Sequence, residues 1–499
     1  MRKRIQLQAL AAMAVGGTSL ASAQVADLRF DSAETLIRRL MTEHGIPSVA
    51  VAAAKGGRIV WEQAFGWADR ERMVPATAHT MYSLASISKP FTATALMRLV
   101  EQGKVDLDRP ANDYLGVGRL TGLAGSAASA TVRRVLTHTA GLPLHSQFYY
   151  ETDPYPVPGM DQTIARYGIL VYPPGQVFNY SNLGFGVIGE IIARASGQSY
   201  ADYLRTEVFL PLGLTRTSVH IGPGLEPYAA QRYDATQQPI PFYRFDHDGA
   251  SAIYASAHDL IRFAMFHLKD HLSDQRAPIS DAAIDSMGRV GTPGSTIEGY
   301  GLGWFVGGDN GFVSLSHGGG MPGVTTTLKL YPREDVAVVV LTNRSNNAFA
   351  AIAEEIVGTM LPKYGIAVRA KRNAPPNPTP SSAAAFKPGP ELRGPWSGTV
   401  RTWQGTVRLS LDIRPDGDVH VALGDQYETL LNQTRFRDGM LTGRFAGTIP
   451  TPDASRHPHT VRIELLLRGD QLAGQVSAVT EVEPRHCALS SYAELRRAR

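Results

Sequence analysis

Between Phe91 and Val100 the chain offers a helical wheel with almost no polar side: Phe91, Ala93, Ala95, Leu96, Met97, Leu99 and Val100 surround it. A helix apolar all round is stable only inside a core. Whatever the fold, it must wrap around this segment. The run opens with Ser86 and Lys89, three residues apart, so that on a helix hydroxyl and amine share one face. Serine is a weak nucleophile until a neighbouring base takes its proton. A lysine amine serves when burial or a nearby cation favours its neutral form. At the helix N-terminus, the dipole also favours a developing alkoxide on Ser86. No other serine in the chain stands three residues before a lysine.

The 499 residues, 43% hydrophobic and 19% charged, allow two or three domains with a sizeable core. Residues 1–23 read as a secretory signal, which predicts a periplasmic or secreted protein. Arg2, Lys3 and Arg4 supply the basic end, an apolar stretch runs through Leu20, and Ala21, Ser22 and Ala23 supply the cleavage site. Gly16, Gly17, Thr18 and Ser19 make the apolar run too short to span a bilayer. Removing its three basic residues lowers the net charge from +4 to +1, a balance that calls for neither nucleic acid nor an anionic membrane as partner. With Cys487 as its one cysteine, the chain makes no internal disulfide. No His, Asp or Glu cluster has metal-ligand spacing, and no cofactor is implied.

Asp31 to His44 reads as an amphipathic helix closed by Gly45 and Pro47, followed by a hairpin of Val49 to Ala54 and Arg58 to Phe65 around Gly56 and Gly57. Helices are expected over Gly186 to Ala195, Ala201 to Phe209, His258 to Leu268 and Asp281 to Gly288. Strands follow at Phe312 to Ser316, Val324 to Tyr331 and Asp335 to Leu341, then a helix from Ala348 to Leu361. Both termini of this region would build one antiparallel sheet with a helical middle beside it, an α+β arrangement. Six prolines between Lys371 and Pro390 mark a linker, 371–390, separating residues 24–370 from 391–499. Beyond it, Val407, Leu409, Leu411 and Ile413 alternate with polar residues. Turns at Asp416-Gly417, Asp438-Gly439 and Gly469-Asp470 complete the pattern of a small β-barrel or sandwich.

Two further segments carry chemistry. In Tyr180-Ser181-Asn182, alternate residues of extended chain point the same way. A phenol beside a lysine ammonium loses its proton below its free pKa and becomes a base or relay, while Asn182 could hold the lysine and bind a substrate carbonyl. In Ser316-His317-Gly318-Gly319-Gly320, successive glycines let a substrate backbone approach a strand edge. A backbone N–H there, with that of Ser86, would form an oxyanion hole. Phe148, Tyr149, Tyr150, Tyr155 and Tyr172, set among prolines, read as packing for an irregular loop, with an aromatic wall for substrate as the alternative.

Together these segments resemble the serine β-lactamase and penicillin-binding-protein-like superfamily, particularly its class C β-lactamase, D-aminopeptidase and carboxylesterase branch. Leu136-Thr137-His138-Thr139-Ala140-Gly141-Leu142-Pro143, Tyr300-Gly301-Leu302-Gly303-Trp304 and Leu341-Thr342-Asn343 extend the likeness over residues 30 to 365. The resemblance implies that Ser86 is acylated and that Lys89 and Tyr180 share general-base work. It also implies that Asn182, His317, Gly319 and Gly320 bind substrate, with Gly320 as the second oxyanion donor, and that His138 is structural. It further implies a small-molecule or short-peptide amide or ester as substrate, and a C-terminal β domain that caps the site or mediates homo-oligomers. One departure restricts the substrate. Members that bind penicillins well carry lysine then threonine or serine where this chain has His317 and Gly318. A largely neutral histidine and a glycine recognise a β-lactam carboxylate poorly, which disfavours an efficient β-lactamase. A ligand-binding scaffold without turnover is the alternative of another class.

Overall fold

The computed structural model describes residues 28–295, 297–374, 386–480 and 486–498; the expected signal segment, 1–23, lies outside them. The chain opens with helix α1 (Asp31–His44), closed by Gly45 in the left-handed conformation. Strands β1 (Ser48–Lys55), β2 (Arg58–Asp69) and β3 (Val74–Pro75) follow. The helical middle holds α2 (Ser88–Glu101), α3 (Asn182–Ser196) and α4 (Ala257–His267). The chain then returns through β4 (Gly299–Tyr300), β5 (Phe305–Asp309), β6 (Phe312–Met321), β7 (Val324–Tyr331) and β8 (Val336–Thr342) to helices α5 (Phe349–Met360) and α6 (Pro362–Asn373). The sheet order β4-β5-β6-β7-β8-β1-β2-β3 joins the two ends of this region through the antiparallel pair β1–β8, with Val51 opposite Val340.

β1 shows why this sheet is rigid. Val49, Val51 and Ala53 pack with Ile37, Leu40, Ile352 and Ile356 of α1 and α5, while Ala50, Ala52 and Ala54 face the helical middle. Helices cover both faces, so every residue from Ser48 to Ala54 is buried. The apolar segment that opened the sequence is α2, buried from Ser88 through Met97. Its polar members are satisfied internally: Thr92 Oγ1 donates to the Gly249 carbonyl at 2.6 Å, and Thr94 Oγ1 meets His267 Nε2 at 3.0 Å.

The expected helix from Ala348 to Leu361 ends at Met360, and Pro362 starts α6, which runs through Lys371, Arg372 and Asn373 into the expected linker. Proline suits the first helical turn, where its missing N–H costs nothing. Residues 375–385 lie outside the described range.

The C-terminal region forms β9 (Gly394–Thr402), β10 (Gly405–Ile413), β11 (Val419–Leu423), β12 (Thr429–Leu430), β13 (Asn432–Arg437), β14 (Met440–Phe445), β15 (Thr460–Arg468), β16 (Gln471–Thr480) and β17 (Cys487–Arg497). Their order, β12-β11-β10-β9-β17-β16-β15-β14-β13, is antiparallel throughout. Only Leu431 separates the two edge strands. Its N–H donates to Val419 O beside one edge, and its side chain packs on Gly443 beside the other. The result is a nearly closed barrel.

The barrel is seated on the first region. Tyr172, buried, donates its hydroxyl to Glu464 O at 2.8 Å, and Tyr167 donates to Asp453 at 2.7 Å. Arg166 pairs with Asp453 at 3.1 Å. The aromatic cluster read as loop packing therefore joins the two regions, and Tyr149 and Tyr155 lie beneath the guanidinium of Arg456. Among the described residues, no helix is long and apolar enough to cross a membrane.

Candidate active site

Ser86 lies in a one-turn helix, Ala85–Ile87, just before α2 rather than within it. Ala85 sits at φ +49°, a conformation that L-residues seldom adopt. The turn therefore holds the Ser86 hydroxyl in a strained, fixed place. Lys89, in the first turn of α2, is fully buried. Its Nζ lies 3.1 Å from Ser86 Oγ, 2.9 Å from Asn182 Oδ1 and 3.1 Å from the Ala250 carbonyl oxygen. Burial pushes this amine well below the usual lysine range, and none of its three oxygen neighbours is charged. A neutral amine has two N–H groups and one lone pair. Asn182 Oδ1 and Ala250 O accept only, so they take the N–H groups. The lone pair is left for the Ser86 hydroxyl proton.

Tyr180 packs against the same amine, its ring centroid 4.8 Å from Lys89 Nζ. Burial raises its phenol, opposed by a hydrogen bond with Ser86. This reverses the sequence-based expectation of a phenol ionised by a neighbouring ammonium. Burial favours the neutral amine as well as the protonated phenol, which removes the cation that was to ionise Tyr180. The motif's remaining residues set the loop. Ser181 caps α3, accepting from Gly184 N–H at 2.9 Å and donating to Pro143 O at 2.6 Å. His138, buried at φ +58°, accepts the Ser181 N–H on Nδ1 at 3.0 Å and packs on Tyr180 with ring centroids 4.3 Å apart. Burial holds its imidazole well below the usual histidine range. It shapes the loop without touching Ser86, in line with the structural role expected for it.

Strand β6 continues past the expected end at Ser316, through the glycines to Met321. Pairing with β5 stops at Ser316, so the Gly318–Gly320 edge faces the site with no strand partner on that side among the described residues. Gly319 packs on Leu84 O and Thr326 Oγ1, which leave no room for a Cβ, whereas Gly320 has open space. Gly319 thus allows the strand and the Ser86 turn to meet. His317 differs more from expectation. It is buried, with Nδ1 2.8 Å from Gly318 O and Nε2 3.0 Å from the Tyr300 hydroxyl. Nδ1–H donates to the carbonyl and Nε2 accepts from Tyr300, leaving neither nitrogen for a substrate. Burial pushes its pKa down to about 3. His317 supports the strand from beneath.

Asn182 likewise has little left for substrate. Its Nδ2 donates to His145 O at 3.1 Å and to Ser146 Oγ at 3.0 Å. Behind it, buried Asp246 accepts from His145 Nε2 at 3.0 Å, from His247 Nδ1 at 2.7 Å and from Thr163 Oγ1 at 3.3 Å. One carboxylate therefore ties the His145 segment, which holds Asn182, to the segment leading to Ala250. His145, Asp246 and His247 thus bring three potential metal-ligating side chains together, which their sequence spacing did not show, and here the carboxylate accepts hydrogen bonds from both imidazoles. Ala250 acts through a backbone carbonyl, which carries no side-chain signature, so sequence reasoning missed it. The signal for Ser146 and Asp246 is equally weak.

A cleft of about 510 Å³ opens beside β6, lined by Phe178, Phe305, Ser314, Ser316 and Lys329. Phe305 stacks parallel to Tyr180 at 6.3 Å, so cleft and Ser86 turn share an aromatic wall. Lys329 is matched by Asp309 at 2.7 Å.

A sequence model of the family described as Beta-lactamase matches residues 33–357. The chain belongs to the β-lactamase family. It is 29% identical over 344 residues to penicillin-binding protein 4* of Bacillus subtilis (strain 168), covering 63% of this chain and 72% of that protein. The octameric penicillin-binding protein homologue from Pyrococcus abyssi superposes with a TM-score of 0.58 at 21% identity, covering 93% of this chain and 99% of that one. SurE, solved with D-Leu, gives 0.59 at 22% identity, covering 94% and 99%. These structural likenesses span the barrel as well as the first region.

Proposed function

We propose that the protein is a serine hydrolase that forms an acyl-enzyme on a small ester, amide or short peptide. The observation that supports this most is the set of oxygens around Lys89: two acceptors and one hydroxyl leave a neutral amine a single role, as base for Ser86. Ser86 Oγ attacks the carbonyl carbon while its proton passes to Lys89 Nζ. The oxyanion draws on the backbone N–H groups of Ser86 and Gly320. As the tetrahedral intermediate collapses, the bond to the leaving group breaks. Tyr180, still protonated and beside Ser86, donates to that group and is reprotonated from Lys89. Water then attacks the acyl carbonyl with the same groups returning the proton.

The substrate carries no recognition carboxylate in this reading. His317 is neutral and buried, and Lys329 is already paired, which argues against efficient β-lactam turnover. The D-Leu of the SurE structure keeps D-amino-acid amides beside simple esters as the substrate classes to test. The octameric relative makes homo-oligomers the assembly to look for, and the basic, apolar N-terminal pattern supports export. Hydrolysis of p-nitrophenyl acetate and butyrate, D- and L-alanine amides and nitrocefin by residues 24–499 tests the proposal. Ester or amide turnover well above nitrocefin turnover is expected. Nitrocefin as the best substrate would overturn the substrate reading, and no turnover of any of them would favour an inert scaffold.

A further inference from the structure

Asn182 can serve Lys89 in one orientation only. With its oxygen toward the amine it accepts an N–H; flipped, it would present N–H donors to the amine and leave the lone pair as their target. Nothing in the amide's shape selects between the two, since its ends are nearly isosteric. What selects is the pair of acceptors on its other side, His145 O at 3.1 Å and Ser146 Oγ at 3.0 Å.

Ser146 is in turn held from the barrel. Its N–H donates to Ala488 O at 2.8 Å, and its carbonyl accepts from Ala488 N–H at 2.8 Å. This two-bond bridge lies at the start of β17. A strand residue turns its N–H and C=O to the same side, so Ala488, having given both to Ser146, spends no backbone bond on the barrel ladder. The bridge is a contact between regions, made between residues far apart in the chain.

We infer that Ser146 is a positioning residue for Asn182 and that Ala488 of the barrel holds it in place, so the C-terminal region sets the geometry of the Ser86–Lys89 pair. This inference rests on the proposed serine-hydrolase reading. The barrel is then no detachable module but a clamp on the residue that orients Asn182 toward the amine.

Three single variants and one double variant read this directly in the protein with its barrel. Ala488→Pro removes the N–H that reaches Ser146 and fixes φ there, at a position where the ladder does not need that N–H. Ser146→Ala deletes the acceptor and leaves the bridge, while Ser146→Thr keeps the hydroxyl. The probes are the rate at which a fluorophosphonate labels Ser86, and kcat and KM for p-nitrophenyl butyrate. Ala488→Pro and Ser146→Ala should each slow labelling and lower kcat by roughly 10- to 100-fold with KM within about twofold, the loss expected when a reacting pair is misplaced without loss of binding. Ser146→Thr should keep most of the rate. The double variant Ser146→Ala/Ala488→Pro should be no worse than the slower single one, because both cut one linkage. Wild-type rates in folded Ser146→Ala would overturn the inference, as would a loss in KM alone. Absence of labelling in the wild type would instead overturn the hydrolase reading beneath it.

Discussion

Gly319 of β6 lies so close to the Leu84 carbonyl oxygen that no Cβ fits between them. This contact presses the glycine edge against the turn carrying Ser86, and it involves backbone on one side. Gly319→Ala cannot be accommodated by a rotamer change. It should destabilise the protein by about 1–3 kcal/mol, the usual range for overpacking, and slow Ser86 labelling by pushing strand and turn apart. Gly320→Ala, facing open space, should leave stability nearly unchanged. Denaturant midpoints of the two variants check the contrast.

Lys89 links activity to stability. Its amine is held well below the unfolded value, so between the two values the unfolded chain binds a proton that the folded chain does not. Stability therefore rises with pH toward the unfolded lysine value and is lost as pH falls toward the folded one. Lys89→Met should raise the melting midpoint at pH 7 by about 2–4 °C, with the gain shrinking as pH approaches the ordinary lysine range, while abolishing labelling. Melting curves across that window, against the wild type, test the sign.

Arginine cannot replace this lysine. A guanidinium stays charged and offers no lone pair, so Lys89→Arg should lose roughly 100- to 10,000-fold in ester turnover, the span of a general base. Steady-state hydrolysis of p-nitrophenyl butyrate measures it. Retained activity would show that the lysine acts only as a cation.

A second titrating feature sits away from the site. Asp270, after α4, faces Asp335 in the turn before β8, beside Gly57. Burial and the neighbouring carboxylate push the Asp270 pKa up to about 7. The folded state thus holds a proton that the unfolded state has released. Its contribution is fully present below the unfolded carboxylate value and lost as pH rises through about 7. Melting curves should show Asp270→Asn matching the wild type below the ordinary carboxylate range, gaining on it as pH rises through the acidic window, and exceeding it in midpoint above neutrality.

Much of the fold was legible because local chemistry and burial agree. Gly45 and Pro47 end α1 as expected, Gly56 and Gly57 turn the first hairpin, and the alternation from Val407 to Ile413 is the inward face of β10. Where glycine interrupts a pattern the reading failed. Gly307 and Gly308 concealed β5, the glycine run concealed the end of β6, and Gly184 and Gly186 hid the true start of α3 at Asn182. In each case tertiary contacts supply what propensity does not. The site shows the same limit. Spacing singled out Ser86, Lys89, Tyr180 and Asn182, which the structure brings together around the amine, yet the direction of the Tyr180 shift was misjudged because it depends on burial that no spacing reveals. The Ala250 carbonyl, and the link from Asn182 through Ser146 to Ala488, depend on backbone atoms common to every residue.

The most direct measurement is mass spectrometry of the fluorophosphonate adduct, made on the wild type and on Ser86→Ala. One adduct is expected on the wild type, localised to the peptide containing Ser86, and none on the variant. A modified Ser86→Ala protein, or an adduct on another serine of the wild type, would contradict Ser86 as the nucleophile.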